Sequence, residues 1–341
     1  LLVRYTWGES FRAPTIGDLF AGTAEGFPAA TDRCAGGNYN QQSAAGQAQC
    51  DLGTGLTGAT VQPFSQIRGL FGSSVNLTPE EGKNETIGMV WSPSFLEGFE
   101  MSIDYWKIEL DNAISSYSVG FTINQCYGYN TDTGLPDTSF CQYIVRDTYD
   151  AVTNPNGTGQ INVVNSLPFN LAGYRTAGYD ISMSYNLDGG VTGNWSFNVD
   201  STYTDYFETK AFTTSPWIDS VGRYLGSPTP EWKSNFYIDW NLGDWGASWV
   251  TRTLSDVYEN CFFYCNDQGE GNNENHTGFY AVHDLQVRWT APWDATFSVG
   301  KRNLFDKEPP VLTNNTFAHS FDAAYDIPGG GYWYMSYRQD F

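Results

Sequence analysis

The stretch Trp232-Lys233-Ser234-Asn235-Phe236-Tyr237-Ile238-Asp239-Trp240-Asn241-Leu242 decides the fold. Alternate residues separate Trp232, Ser234, Phe236, Ile238, Trp240 and Leu242 from Lys233, Asn235, Tyr237, Asp239 and Asn241. One set is greasy and the other polar, the period-two pattern of a strand with two unlike faces. Gly243-Asp244-Trp245 turns the chain, and a second strand-like run follows over 246–258.

Outward from this hairpin the alternation recurs. Ile181, Met183 and Tyr185 oppose Asp180, Ser182, Ser184 and Asn186, and Phe197 and Val199 oppose Ser196, Asn198 and Asp200. Val287 and Trp289 oppose Asp284, Gln286 and Arg288. About ten such segments are predicted, over 1–9, 85–93, 99–110, 172–187, 194–208, 231–243, 246–258, 278–291, 295–305 and 331–341. Most are near the ~9–11 residues that a tilted strand needs to cross a bilayer.

The connections alternate in length. Short turns (94–98, 188–193, 243–245 and 292–294) alternate with long connections (10–84, 111–171, 209–230, 259–277 and 306–330). A soluble sandwich mixes turn lengths, whereas a membrane barrel has short turns on one rim and long loops on the other. The polar faces carry Asn, Ser, Thr and Asp rather than many Lys and Glu. The apolar faces are heavy in Trp, Tyr and Phe near strand ends, where a bilayer places its aromatic girdles. The expected fold is therefore all-β, an antiparallel transmembrane β-barrel.

Composition agrees. The 341 residues include 17 Lys+Arg and 38 Asp+Glu, for a net charge of -21, yet charged residues are only 16% of the chain. A typical soluble domain has about 25%. So acidic a chain, with no basic stripe, repels nucleic acid. Its 16% aromatic content excludes disorder, and no apolar run is long enough for a transmembrane helix.

The six cysteines fall into three local pairs, Cys34/Cys50, Cys126/Cys141 and Cys261/Cys265, all in long connections. Local pairing closes short loops and is the simplest of the possible connectivities; unrelated free thiols are the alternative. A zinc site lacks both a C-x-x-C knuckle and a histidine at ligand spacing. Disulfides would imply an oxidising compartment. The chain opens inside a strand-like alternation, Leu1-Leu2-Val3-Arg4-Tyr5, without an initiator Met or a signal-peptide pattern, so a missing N-terminal part is expected.

Five strings, in order along the chain, resemble TonB-dependent outer-membrane receptors. Arg4-Tyr5-Thr6-Trp7-Gly8-Glu9-Ser10-Phe11-Arg12-Ala13-Pro14-Thr15 is similar to the family's Y-S-x-G-F-R-A-P strand and loop start. Val75 to Gly88 resembles its N-P-x-L-K-P-E-x-S-x-x-x-E-x-G element, with Gly82 where the family usually has Ser. Phe99 to Ile108, with Asp104-Tyr105, resembles the following strand. Gly300 to Lys307 matches N-L-F-D-K, and Tyr332 to Phe341 looks like the terminal assembly signal.

The resemblance implies a 22-stranded barrel filled by a plug. Residues 1–341 would supply about its last ten strands, as an incomplete portion with the plug, the energy-coupling TonB box and the earlier strands upstream. It implies a receptor in the outer membrane of a Gram-negative bacterium, taking up a ferric siderophore or an oligosaccharide with energy from the TonB complex. Outer-membrane lipid and the barrel-assembly machinery are the other implied partners. Trp333, Met335, Tyr337 and Phe341 share one face of the last strand and are the implied assembly signal. Loss of Phe341 is expected to impair insertion.

Cargo contacts are expected from loop aromatics, foremost Tyr127, Tyr129, Trp217, Phe262 and Tyr264, with Tyr39, Phe64, Phe71, Phe263 and Phe317 beside them. Aromatics with amides suit sugar rings or planar siderophore groups; packing of loop on loop is the plain alternative for each. Lys233, Asp239, Arg252, Asp284 and Arg288 are expected on the inner face, paired or against the plug. Arg12, Pro14 and Asn303-Leu304-Phe305-Asp306 are expected to shape strand ends.

No enzyme is expected, nor a cofactor or metal. His276, His283 and His319 are scattered, and Gly53-Thr54-Gly55-Leu56-Thr57-Gly58 matches a dinucleotide fingerprint without its βα unit. Asp267, Glu270 and Glu274 lack calcium-loop spacing. The rival functions are a passive porin-like barrel and a secreted soluble glycan-binding β protein.

Overall fold

In the computed structural model, the described residues are 1–128, 135–170, 173–210, 216–225, 227–260, 274–312, 321–325 and 329–339. Ten strands run in sequence order across one sheet. They are β1 (Leu2–Arg12), β2 (Glu80–Trp91), β3 (Phe99–Asp111), β4 (Gly173–Asp188), β5 (Asn194–Lys210), β6 (Trp232–Leu242), β7 (Trp245–Leu254), β8 (Tyr280–Ala291), β9 (Ala295–Arg302) and β10 (Tyr332–Gln339). Strands β1 and β10 are the two ends of the path, so the sheet is open.

Register keeps the two chemistries apart. Ser182 pairs with Asp200 and Asp200 with Asn235, while Met183 pairs with Val199 and Val199 with Phe236. Ile238 pairs with Trp249, and Val299 with Met335. A shift of one residue in any pair would exchange the faces, and β4 shifts against β5 only at a bulge between Ala177 and Gly178. The apolar face stays open, with Met335 80% and Trp333 71% exposed.

Strand limits differ from expectation where local chemistry ends the pairing. β2 starts at Glu80 and β1 runs to Arg12, because the Arg12 guanidinium pairs with the Glu80 carboxylate. The run expected over 246–258 divides: β7 ends at Leu254, and Tyr258–Asn260 joins Glu274–His276 in a small separate sheet. β9 stops at Arg302 because Asn303 takes a left-handed φ of 47°.

Where described, the connections 10–84 and 111–171 are folded rather than irregular. The chain divides into two compact units: the first is 1–10, 82–110 and 173–341, and the second is 11–81 and 111–172. The second contains helices α1 (Ala44–Thr54) and α2 (Val119–Tyr127) and a sheet in the order Ala24–Gly26, Gly69–Phe71, Ile161–Ser166, Ile144–Arg146. Ser43 and Ser118 cap the two helices by accepting from the N–H groups of Gly46 and Phe121. Gly55 and Gly128 end them in left-handed conformations, at φ 71° and 69°.

Cores follow the same division. Val119, Ile123, Phe140 and Val164 are buried in the second unit, and Tyr224, Val257, Tyr280, Val282, Leu312 and Tyr325 cluster in the first. All 12 tryptophans lie in the first unit. No helix among the described residues is long and apolar enough to cross a membrane, which says nothing of crossing by strands.

Candidate functional site

The second unit is held by two disulfides, Cys34–Cys50 and Cys126–Cys141. Each closes a loop within one connection, with sequence separations of 16 and 15 residues. Besides the pairing of Gly69–Phe71 with Ile161–Ser166, a buried polar cluster joins the two connections. Arg146 Nη1 and Nη2 donate to both oxygens of Asp32, at 2.8 and 2.6 Å. Arg146 Nε donates to the Tyr127 hydroxyl at 2.7 Å, and Nη1 also donates to the Gly159 carbonyl at 2.7 Å.

Burial works against the Arg146 charge, but the bonds to Asp32 and the contact with Tyr127 leave its pKa raised. Burial likewise pushes the Tyr127 phenol up, against the opposing pull of Arg146. The cluster is thus a guanidinium whose donors are met by a carboxylate, a phenol and a carbonyl, the condition under which a buried charge is tolerated.

Beside it, residues 61–66 form a strap held against residues 28–32. Gln62 pins it from both ends of its amide: Nε2 donates to the carbonyls of Ala30 (2.8 Å) and Phe64 (2.7 Å), and Oε1 accepts from the Asp32 N–H (2.7 Å). Backbone bonds from Ala30 N–H to Ser65 and from Ile67 N–H to Pro28, each 3.1 Å, complete the hold. Phe64 is left 74% exposed. It borders two open depressions, of about 740 and 270 Å³. The larger is bordered by Asn38, Thr60 and Ser65, and the smaller by Phe27, Gln160 and Asn162.

The expected cargo-contact residues separate. Tyr127 is 2% exposed and belongs to the buried cluster, so its ring presents no surface to a solute in this conformation. The reason is its place on α2, where Ile123, Cys126 and Tyr127 share the inward face. Trp217 is half-buried, with the Arg175 guanidinium 4.2 Å above its ring and Lys210 at 5.7 Å. Tyr39 donates from its hydroxyl to Asp51, and Phe71 packs over Gly26 and Gly69. Tyr129, Phe262, Phe263, Tyr264 and Phe317 lie outside the described residues, as do Cys261 and Cys265, Asp267, Glu270, His319 and Phe341.

Gln62, Asp32 and Arg146 are absent from the sequence-derived candidates. No periodic signal marks them, since each acts through partners distant in the chain. Phe27, beside the smaller depression, is also new.

On the polar face of the first unit four of the five expected charges pair with one another. Arg252 lies 3.3 Å from Asp284, and Arg288 lies 3.7 Å from Asp239, which also accepts from Ser248 at 2.5 Å. Arg4 on β1 reaches Asp104 on β3 at 2.6 Å, across the intervening β2. Gly88 of β2 lies beneath the pair; a Cβ there would fall 1.8 Å from the Asp104 carboxylate. Asn303 bonds the backbone of Lys307 through both side-chain atoms, and Asp306 accepts from Lys301 and the Gly331 N–H. No cluster of metal-ligating side chains occurs among the described residues.

The sequence model of the family described as TonB dependent receptor-like, beta-barrel matches residues 1–304. A point mutant of the ferric enterobactin receptor PfeA of Pseudomonas aeruginosa is similar in structure, with a TM-score of 0.56 at 15% identity, over 98% of this chain and 37% of that one. Another PfeA mutant, in complex with enterobactin, gives 0.55 at 16% identity, over 98% and 38%. The siderophore receptor PirA of Acinetobacter baumannii gives 0.48 at 18%, over 80% and 33%. At these identities the two PfeA structures bear on the fold alone, and this chain covers little more than a third of their length. No protein of curated function matches it.

Proposed function

The chain belongs to the β-barrel family of TonB-dependent receptors, and from that membership we propose that it forms part of the wall and solute-capturing surface of an outer-membrane uptake receptor. Members of this family are transporters rather than enzymes. The host membrane in this reading is the outer membrane of a Gram-negative bacterium. The apolar face of β4–β10 meets lipid, and the polar face borders the route of the solute. Energy comes from TonB through a plug outside residues 1–341.

In the same reading the long connections capture a scarce solute, a ferric siderophore or an oligosaccharide. Exposed loop aromatics make the contact, with Phe64 foremost among those described. Trp333, Met335 and Tyr337 of β10, with Phe341, are read by the barrel-assembly machinery.

One observation carries the proposal: ten strands in sequence order with one apolar and one polar face, joined by alternately short and long connections. Few arrangements other than a membrane barrel require both features at once. The test compares receptor-deleted and TonB-deleted strains on iron-chelated medium and on neutral oligosaccharides as sole carbon source. The same growth defect is expected in both strains under one of these conditions. A defect of the receptor deletion that TonB does not share would favour a passive barrel and overturn the energised reading.

A further inference from the structure

We infer that the Phe64 strap of the second unit is a binding site for a neutral oligosaccharide, one sugar ring lying on the Phe64 face and its hydroxyls meeting the exposed amides of Gln66 and Asn162 in the smaller flanking depression and the half-buried Asn38 amide in the larger. This names the solute class for the receptor proposed above and rests on that reading.

Charge is the first argument. Arg12, Arg33, Arg68 and Arg146 are the only basic residues of 11–81 and 111–172, which also hold 11 Asp and Glu. Each guanidinium is already engaged: Arg12 with Glu80, Arg33 with Asn124, Arg68 with Glu25 and Arg146 with Asp32. A multiply anionic ligand such as a ferric tris-catecholate would enter a unit of net negative charge, where Arg68, the basic residue beside the smaller depression, is already paired with Glu25. A neutral ligand does not meet that repulsion.

Shape and chemistry are the second. The larger depression, about 740 Å³, lies within the ~300–1,000 Å³ of small-molecule sites. Phe64 stands between the two depressions, and Phe27 is 55% exposed beside the smaller. A sugar ring has an apolar face of C–H groups that lies flat on an aromatic ring, while its rim of hydroxyls both donates and accepts. Gln66 and Asn162 are exposed amides on the Phe64 side of the unit, and amides too both donate and accept.

Preorganisation is the third. The three hydrogen bonds of Gln62 fix the strap before any ligand arrives. An exposed phenylalanine on a pinned strap loses little freedom on binding, which favours affinity.

The experiment uses the purified full-length receptor on an array of neutral oligosaccharides three to six sugars long, with ferric enterobactin as the anionic comparator. At least one neutral oligosaccharide is expected to bind, with affinity changing less than about twofold when salt is raised past the screening range. Phe64→Ala is expected to weaken it about tenfold or more, while Phe64→Tyr, which keeps the ring, retains it. The exposed position leaves the fold intact, and heat-modifiable migration of both variants verifies this. Binding of ferric enterobactin but of no glycan would overturn the assignment, as would glycan binding indifferent to Phe64→Ala. If TonB-dependent uptake persists in either case, only the solute class falls; if uptake is independent of TonB, the receptor reading falls with it.

Discussion

Arg146 and Asp32 stand 114 positions apart and meet in a two-pronged ion pair, at 2.6 and 2.8 Å, with neither side chain more than 3% exposed. Removing one partner strands the other charge where water does not reach it. Arg146→Met is therefore expected to destabilise the second unit by about 3–5 kcal/mol. The double variant Asp32→Leu with Arg146→Met should cost less than Arg146→Met alone. Native-state hydrogen exchange of the Val164 amide, which donates to the Arg68 carbonyl within this unit, reads both. Equal protection in wild type and Arg146→Met would refute the role.

Gly88 supports a different kind of pair. Arg4 and Asp104 cross β2 above it, and no side chain larger than hydrogen fits beneath. Gly88→Ala is expected to separate the pair and lower the temperature at which the folded, fast-migrating form is lost on gels. Adding Asp104→Ala should remove most of that effect, because the obstructed partner is gone. Additive losses would mean that Gly88 matters for another reason.

Neighbouring positions on β6 test the two faces. Ile238 lies on the apolar face and pairs with Trp249; Tyr237 lies on the polar face and pairs with Val250. Ile238→Arg is expected to cost about 2–4 kcal/mol if the position is near the bilayer midplane. Tyr237→Arg should cost far less. Urea unfolding of the full-length receptor from lipid vesicles measures both, and equal costs would dismiss the assignment of faces.

Acid should loosen one turn of the second unit before the rest. Asp147 accepts from the Thr158 N–H, the Asn154 amide and the Thr158 hydroxyl, each at 2.9 Å, and these bonds hold its pKa below the ordinary carboxylate value. A depressed folded-state pKa gives stability that is complete above the unfolded value, about 3.9. That stability is lost as pH falls through the folded value. Protection of the Thr158 amide should therefore hold at neutral pH and fall below about pH 4. In Asp147→Asn it should be weaker throughout and lack this acid step; an unchanged acid step would assign the titration elsewhere.

The wall was legible because a strand in a two-faced sheet places every second residue in the same medium. Trp232 to Leu242 shows this from end to end, and β6 has those limits. The second unit was not, because its order depends on pairings far apart in the chain. Nothing near Asp32 announces Arg146, and Gln62 bonds a carbonyl more than 30 positions away. Helix α1 offered only its ends, Ser43 and Gly55. Tyr127 was readable in principle. Ile123, Cys126 and Tyr127 have the spacing of one helix face, which favours an inward ring over a loop-borne contact.

The distribution of tryptophan has an optical consequence. With every indole of residues 1–341 in the first unit, their fluorescence reports on that unit and is blind to direct changes in the second. Melting of 11–81 and 111–172 could pass without a spectral signature. Conversely, an indole introduced there would be the sole tryptophan emitter in that unit, and its signal could be isolated by difference from the parent protein.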